Sequence, residues 1–193
     1  MDSCRRFANK IWIAVRYILQ TIPLGTPTAP PEKVHSELAQ WLLHGLNDLI
    51  RHSQTGLEAH RLSDVVDSLR SFFWGEFCDW YLEMDKKPER TDEDNQVLAY
   101  SYSTLLKLMH PYVPFVTEAL WEQFKQPKML AVSEWPQEQS YSFSESHNRI
   151  ELLREAISQI RTLREKANIG LDKKIGATLD SEKNAELFRT HQN

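Results

Sequence analysis

The chain has 193 residues, of which 41% are hydrophobic and 26% charged, and its mean hydropathy is −0.52. These values are typical of a soluble globular protein and exclude both a disordered chain and a membrane-spanning one. The formal net charge of −4 excludes a protein that binds nucleic acid over its whole surface, so any RNA site has to be local. The length predicts one sizeable domain and a smaller second unit.

The first predicted helix covers residues 3–21 and has two distinct faces. Its apolar face holds Cys4, Phe7, Ile11, Ala14, Val15 and Ile18. Its opposite face holds Arg6, Asn9, Lys10, Ile13, Arg16, Tyr17 and Gln20. Cationic and amide donors beside a tyrosine ring suit the phosphates and an unpaired base of RNA. A solvated helix face has the same pattern, and composition alone favours that alternative.

Two further helices are predicted before residue 85. The second has about 20 residues and is marked by Leu38, Trp41, Leu42, Leu46, Leu49 and Ile50, with a pattern that fades at residues 53–56. The third runs from about Glu58 to Met84. Its apolar face, at steps of three and four, passes through Leu62, Val66, Leu69, Phe73, Phe77, Trp80 and Met84. We expect this third helix to be the central packing helix.

Three acidic side chains, Glu76, Asp79 and Glu83, follow one border of that apolar face. Like charges at this spacing repel one another, so each is expected to have a partner. We expect interhelical ion pairs or hydrogen bonds, with arginines of a neighbouring helix as the favoured partners. A metal site or a general acid and base is the less favoured alternative.

The second half of the chain is also predicted to be mostly helical. The expected elements are a solvated connection (86–94), a fourth helix (97–109), a fifth helix from Pro114, a short extended segment (129–135), a serine-rich loop (140–146) and a sixth helix (148–167). His110-Pro111 ends the fourth helix, because the residue before a proline disfavours the helical conformation. The apolar face of the sixth helix is expected to hold Ile150, Leu153, Ile157, Ile160 and Leu163.

The end of the chain has a different pattern. A weak alternation at residues 174–179 predicts a strand, and residues 182–188 predict a last short helix. Because a single strand is not stable alone, we expect an incomplete α+β unit here. The predicted fold is therefore all-α, an antiparallel helix bundle followed by a partial small α+β unit. We place the bundle at residues 1–128, and the connecting helix with the incomplete extension at residues 129–193.

Signs of a catalytic or metal site are lacking in the sequence. The six glycines are scattered singly, which makes a glycine-rich phosphate loop unlikely. No nucleophile elbow is visible, and His110 is interpreted as a helix-terminal residue rather than a base. Cys4 and Cys78 lack metal-binding spacing and are expected to be reduced core thiols, which favours a cytoplasmic or organellar compartment. We expect no complete active site and no bound metal in this chain.

Two stretches are locally basic, residues 1–20 and residues 148–176, and each has a net charge of plus three. The second stretch offers Arg154, Arg161, Arg164, Lys173 and Lys174 as donors to RNA. A solvated helix face is again the alternative that composition favours.

Three sequence elements together resemble one family. They are Cys-Arg-Arg-Phe-Ala-Asn-Lys-Ile-Trp (4–12), Trp-Gly-Glu-Phe-Cys-Asp-Trp-Tyr-Leu-Glu (74–83) and His-Pro-Tyr-Val-Pro-Phe-Val-Thr-Glu-Ala-Leu-Trp (110–121). In this order they are similar to the valyl-tRNA synthetases, which are class I aminoacyl-tRNA synthetases, and nearly the whole chain resembles their C-terminal anticodon-binding region. Isoleucyl- and leucyl-tRNA synthetases share the bundle and the third element, whereas Glu-Phe-Cys-Asp-Trp-Tyr favours the valyl enzymes.

The resemblance implies a helix bundle that reads the valine anticodon while a catalytic domain charges the distant end of the tRNA. In the family, the catalytic Rossmann domain and the editing domain lie upstream. We therefore expect this chain to be one domain of a longer enzyme that uses ATP and Mg²⁺ elsewhere, with no cofactor of its own. The implied partners are the anticodon stem-loop of tRNA and the catalytic domain of the same polypeptide, with no membrane contact.

The resemblance also places Arg16 and Tyr17 near the anticodon bases, with Asn9 and Lys10 in the adjoining motif. Ile13 stands where many relatives have asparagine, so that one base contact is not implied. Together with the two polar helix faces, the predicted tRNA-binding residues are Arg6, Asn9, Lys10, Arg16, Tyr17, Gln20, Arg161 and Arg164.

Other functions stay open on sequence alone. One is the equivalent domain of an isoleucyl- or leucyl-tRNA synthetase. A second is a protein-docking helix bundle of a multi-enzyme assembly, which the acidic net charge and the connection at residues 86–94 support. A third is metal-dependent catalysis through Glu76 and Asp79.

Overall fold

The computed structural model describes residues 2–126, 128–170, 173, 174 and 176, with side chains from Arg5 onward. Within these ranges the chain forms helices and turns and no strand, which confirms the all-α class. The helices are α1 (Asp2–Thr21), α2 (Glu37–Glu58), α3 (Leu62–Ser71), a π-helix (Phe72–Tyr81), α4 (Leu82–Met84), α5 (Asp92–Met109), α6 (Pro114–Trp121) and α7 (Ser144–Lys166), with 3₁₀ turns at Glu122–Phe124 and Leu130–Val132. The predicted strand and last short helix, residues 174–179 and 182–188, lie largely or wholly outside the described residues.

Contacts between α2 and α3 show that these helices are antiparallel. Near the end of α2, Gly56 lies so close to Val65 at the start of α3 that a Cβ there would come within 2.4 Å of a Val65 methyl carbon. In the middle of α2, a Cβ at Gly45 would lie 3.0 Å from the Phe72 ring. The second helix therefore continues through residues 53–56, where its apolar pattern fades, because Gly56 allows close packing there.

The remaining helix directions follow from two further contacts. Phe7 of α1 packs edge to face on Phe73, with ring centroids 5.8 Å apart, so the starts of α1 and the π-helix lie side by side. Glu93 at the start of α5 accepts hydrogen bonds from the backbone N–H groups of His35 and Ser36, at 2.9 and 3.1 Å, just before α2. Helix direction therefore alternates along the chain, as predicted for an antiparallel bundle.

The central helix of the bundle is α5. Every residue from 97 to 106 is buried, including the polar Ser101, Ser103 and Thr104. The prediction that the third helix would be central is therefore wrong. Small hydroxyl side chains let neighbouring helices approach α5 from all sides. Because these side chains are polar, the hydrophobic pattern of the sequence does not predict that α5 is buried.

The π-helix changes which side chains of the third helical run face the core. Leu69, Phe73, Phe77 and Tyr81 are buried at regular steps of four, whereas Met84, predicted to be in the core, is 38% exposed. The i→i+5 hydrogen bonding of a π-helix widens each turn, so a longer step keeps one face inward. Leu62 and Val66, in the α-helical part, are also exposed, since the chain turns at residues 59–61 and the run begins only at Leu62.

The connection between α4 and α5 is anchored rather than fully solvated, contrary to expectation. Arg90 donates to the Asp85 carboxylate at 2.5 Å and to Asn95 Oδ1 at 3.0 Å, and the Arg90 and Asp85 side chains are only 11% and 7% exposed. Asp94 belongs to α5 and forms a capping box with Thr91. Charged residues in this segment therefore hold the start of α5 in place.

The predicted short extended segment at residues 129–135 instead contains a 3₁₀ turn, Leu130–Val132. Glu118 of α6 accepts hydrogen bonds from the backbone N–H groups of Leu130 and Ala131, at 2.8 and 3.2 Å. Two adjacent N–H groups that point at one carboxylate require a turn, which an alternation pattern does not reveal.

The last described helix, α7, starts four residues earlier than predicted and packs antiparallel to α2. Arg149 pairs with Glu37 at 3.1 Å near one end, and Asn47 donates to the Gln139 carbonyl at 2.6 Å toward the other. Ile150 and Leu153 are buried as predicted, but Leu163 is 64% exposed, because the last turns of α7 extend past the start of α2. The predicted division of the chain at residues 128 and 129 stays a prediction.

In the part of the chain that the structure describes, no helix is long and apolar enough to cross a membrane.

Candidate nucleic-acid interface

The polar face of α1 is exposed as predicted. Ile11, Ala14, Val15 and Ile18 are buried on the opposite face, at 5% exposure or less. The exposed or half-buried side chains of the polar face are Arg6, Asn9, Lys10, Arg16, Tyr17 and Gln20. Six of the predicted tRNA-binding residues therefore lie on one side of one helix, within about four turns.

A groove lies between α1 and the helical segment from Arg70 to Lys86, and we call this groove the α1 seam. Tyr17 lies at its edge. A cavity of about 200 Å³ opens here. Its lining residues are Lys10, Ile13, Ala14, Tyr17, Cys78, Leu82, Glu83 and Lys86. An apolar floor with a tyrosine and charged groups at the rim suits a flat, partly polar ligand such as an unstacked base.

Cys78, at the floor of this cavity, is a buried thiol. Burial raises its pKa to about 12, although nearby Lys10 acts in the opposite direction. The thiol is therefore neutral at physiological pH, and a neutral thiol is neither a nucleophile nor a metal ligand. This confirms the prediction of a core thiol at this position, and it gives the cavity an uncharged floor.

Lys10 spans the middle of the seam. Its ammonium group donates to Asp79 at 3.0 Å and lies 5.4 Å from the centroid of the Trp74 ring. Both contacts reach from α1 to the π-helix, so they fix the position of the lysine and of the partly exposed tryptophan. Asp79 offsets part of the Lys10 charge, which leaves positive charge mainly on the arginines of the seam.

Arg16 is the exposed cation nearest to Tyr17 along α1. Within the described chain, its guanidinium group makes neither a hydrogen bond nor an ion pair, and the same is true of the Asn9 and Gln20 side chains. Arg6 lies one helical turn before Lys10 and lines a second cavity of the same seam. The donors of Arg16 are thus available to a ligand at neutral pH.

The three acids of the third helical run have three different environments. Asp79 forms the expected interhelical ion pair, with a lysine rather than an arginine. Glu83 pairs with Lys86 at 2.7 Å within its own segment. Glu76 faces Gly45 of α2, and burial raises its pKa while the charge of Arg154 opposes that shift. Among the described residues, no group of three acidic, histidine or cysteine side chains is arranged to hold a metal.

The predicted RNA contacts on α7 lie in a different environment. The guanidinium of Arg161 lies 5.0 Å from the centroid of the Trp80 ring, and that of Arg154 lies at the same distance from it. Arg164 donates to the Gly170 carbonyl and, at 3.0 Å, to the Lys173 carbonyl. Arg161 and Arg164 therefore already have intramolecular partners, whereas the Arg16 side chain has none among the described residues.

Sequence reasoning missed several features of the seam. Trp12, which neither predicted face included, is 43% exposed next to Ile13, which is 64% exposed on the polar face as predicted, so apolar surface continues beside the polar side chains. The contributions of Cys78 and Leu82 to the cavity, and of Trp74 to the Lys10 contact, depend on the packing of the π-helix against α1. A helical wheel of α1 carries no signal for them.

The element at residues 110–121 has a structural role. His110 is the C-cap residue of α5, which confirms its interpretation as a helix-terminal residue, and its ring lies 2.8 Å from the Thr117 hydroxyl. Glu118 holds the Leu130 turn, and Trp121 donates its indole N–H to the Lys128 carbonyl at 2.8 Å. These contacts fix the chain that follows α6, and they explain the residue types without any catalytic role.

Comparison with known proteins agrees with the helix bundle. The model of the anticodon-binding domain of tRNA ligase matches residues 39–179. The chain is 34% identical over 174 residues to a valine–tRNA ligase of Solibacter usitatus, covering 88% of this chain and 20% of that protein. It is 33% identical over 205 residues to one of Synechocystis sp., covering 96% and 22%. With one of Treponema pallidum it shares 38% over 130 residues, covering 63% and 14%.

The family model begins within α2, whereas the Synechocystis match, at 96% of the chain, includes most of α1. The chain spans about a fifth of the length of the first of these relatives. The matched region includes α5 and α6, against which α1 packs. The chain belongs to the family of tRNA-ligase anticodon-binding domains.

Proposed function

We propose that this chain binds the anticodon stem-loop of valine tRNA through the polar face of α1 and the cavity beside Tyr17. Support comes from the family, from relatives whose names are valine–tRNA ligase, and from the residue types of the seam. Unpaired loop bases expose their faces and edges to proteins, so an aromatic side chain beside a guanidinium is a suitable receptor.

The arrangement of Arg16 and Tyr17 carries the proposal. Adjacent on α1, they combine a guanidinium that has no hydrogen bond or ion pair to the described residues with a tyrosine at the edge of a small cavity. Arg16 is suited to a phosphate, and the Tyr17 ring to stacking on a base that enters the cavity. Asn9, Lys10, Gln20 and Arg6 extend the same face with further donors.

Arg161 and Arg164 remain predicted tRNA contacts of smaller weight. RNA binding by Arg161 would have to retain or replace its contact with Trp80, and binding by Arg164 would compete with two backbone carbonyls. An arginine that already has partners gains less from a phosphate than one that has none.

The proposal extends to the longer protein that the relatives suggest. We infer that this domain positions valine tRNA for ATP-dependent aminoacylation by a catalytic domain of the same polypeptide, which would hold the ATP and Mg²⁺. Such a protein acts where translation takes place, which for this chain we take to be the cytoplasm.

The direct test compares valine tRNA with a transcript of the same tRNA in which the anticodon is changed. We expect the chain to bind valine tRNA more tightly at physiological salt. Arg16→Ala and Tyr17→Ala should each weaken that binding by about 1–3 kcal/mol, if each loses one base or phosphate contact. Equal affinity of the two transcripts for the wild-type chain contradicts anticodon reading.

Arg51→Ala is the matched control. This substitution removes the same charge from another exposed side chain. Arg51 pairs with Asp48 and Glu138, away from the seam. Its affinity for valine tRNA should stay within about twofold of wild type, as expected for a distant charge at physiological salt. Tighter binding of an isoleucine or leucine tRNA than of valine tRNA would assign the domain to one of those enzymes instead.

A further inference from the structure

A second cavity lies on the α1 seam, one helical turn before Lys10. It has a volume of about 420 Å³. Its lining residues are Arg6, Arg70, Ser71, Trp74 and Gly75. Two guanidinium groups, a hydroxyl and an indole ring are thus brought together by α1 and by the continuous run from the end of α3 into the π-helix, which is distant from α1 in the sequence.

The two cavities belong to one groove. Since α1 and the π-helix run in the same direction, Arg6 lies beside residues 70–75, Lys10 beside Trp74 and Asp79, and Tyr17 beside Leu82. Arg6 and Tyr17 are eleven residues apart on α1, which is roughly 17 Å along its axis. This distance exceeds one nucleotide, so a strand bound at Tyr17 has room to continue to Arg6.

The charge of the second cavity is positive. Among the described residues no carboxylate lines it, and Asp79, farther along the seam, already accepts the hydrogen bond from Lys10. Arg70 is exposed and has neither a hydrogen bond nor an ion pair within the described chain. A guanidinium offers five N–H donors in a planar fork that matches a phosphate, so this surface is suited to an anion.

Trp74 adds an aromatic surface to this positive site. Its ring is partly exposed and is held by Lys10 at 5.4 Å. Beside it, Gly75 leaves open space, because a Cβ built there would meet nothing within 4 Å. Phosphate-binding arginines next to an aromatic ring are the combination with which proteins hold single-stranded nucleic acid.

We propose that Arg6, Arg70 and Trp74 form a second RNA site, which binds the phosphate and base of another loop nucleotide of the strand held at Tyr17. The inference rests on the proposed function, and it adds a contact that does not depend on the anticodon sequence. Arg70 and Arg6 bind the phosphate oxygens, and the base lies against Trp74 over the space beside Gly75.

Gly75→Leu tests the site without removing a protein contact. The leucine side chain would fill the space beside Trp74, while the helix gains from the loss of glycine. We expect an unchanged or higher melting temperature and a loss of affinity of about five- to tenfold for both valine tRNA and a twelve-residue oligouridylate. Gln54→Leu places the same leucine side chain at an exposed position of α2 and should bind both RNAs as the wild type does.

Arg70→Ala is the second variant. It should weaken binding of both RNAs by a similar factor and lower the slope of log Kd against log salt by about 0.7, as for one lost phosphate contact on a single strand. Arg61→Ala removes another exposed arginine, whose side chain has no hydrogen bond or ion pair to the described residues, and it should leave that slope unchanged.

The outcomes separate this inference from the proposed function. If the wild-type chain does not distinguish the two anticodons but Gly75→Leu and Arg70→Ala still lose oligouridylate affinity, anticodon reading fails and the second site stands. If both variants bind both RNAs as the wild type does, the second site is overturned, whatever the anticodon preference. A loss of RNA affinity by Gln54→Leu or Arg61→Ala as large as theirs overturns it as well.

Discussion

The α1 seam and the α2–α7 interface both bring arginines next to tryptophans, yet they use them differently. On α7, Arg154 donates to Glu151 at 2.5 Å and lies over the rings of Trp41 and Trp80. At the seam, Arg16 has no partner in the described chain. The basic stretches that contain α1 and most of α7, residues 1–20 and 148–176, have the same net charge of plus three.

The difference shows that local net charge is a poor guide to an RNA site. A better guide is whether each charged side chain already has a hydrogen bond, ion pair or cation–π contact within the protein. A guanidinium that stacks on indole rings and binds a carboxylate stabilises the fold. One that is exposed and without partners contributes little to folding and remains free to bind a ligand. We therefore assign RNA affinity mainly to α1 and structural stabilisation mainly to α7.

Arg154→Ala should give the largest effect on stability. The Arg154 side chain is only 18% exposed, and its removal eliminates one charge-assisted hydrogen bond and two cation–π contacts. We expect the free energy of unfolding to fall by about 2 kcal/mol. Chemical denaturation followed by circular dichroism measures it.

Arg16→Ala is the counterpart at the seam and should change the free energy of unfolding by less than about 0.5 kcal/mol. If the two variants were destabilised equally, the distinction between structural arginines and ligand-binding arginines would not hold for this protein.

Glu76→Gln should give a smaller effect that depends on pH. Burial raises the pKa of Glu76, and Glu151 and Asp48 add to the shift that Arg154 opposes. A carboxyl with a raised pKa in the folded state contributes stability that is present below its ordinary pKa of 4.5 and is lost as the pH rises through the folded value. The variant should therefore be more stable than wild type at pH 7 to 8, by less than about 1 kcal/mol.

The stability difference between Glu76→Gln and the wild type should disappear as the pH falls below 4.5, the ordinary value. Thermal unfolding at several pH values measures it, with Glu83→Gln as the control, because Glu83 is exposed and pairs with Lys86. A constant difference between Glu76→Gln and wild type at all pH values would mean that ionisation of this carboxyl is not the cause.

Most of the fold follows from the sequence pattern, because prolines and apolar steps mark the helices. Helix α1, the end of α5 and the start of α6 lie where the sequence predicts them. The π-helix does not, since a step of four residues at Leu69, Phe73 and Phe77 fits an α-helix almost as well. Neither does the central position of α5, because its buried serines look like surface residues.

Only the part of the candidate site that lies on α1 was predicted from the sequence. The α1 wheel places Arg16 and Tyr17 on one face, and the resemblance assigns that face to RNA. It does not reveal the cavities, because Leu82, Trp74 and Arg70 join α1 only through tertiary packing. The partners of Arg161 and Arg164 are equally absent from a helical wheel, since one is an indole ring of another helix and the others are backbone carbonyls.

The most direct test of the central claim compares two double variants of equal charge at one salt concentration. Arg16→Ala with Arg70→Ala removes two arginines of the seam, and Arg149→Ala with Arg161→Ala removes two arginines of α7. We predict that the seam variant loses at least about tenfold in affinity for valine tRNA, whereas the α7 variant stays within about threefold of wild type. A loss for the α7 variant equal to or larger than that of the seam variant would contradict the account.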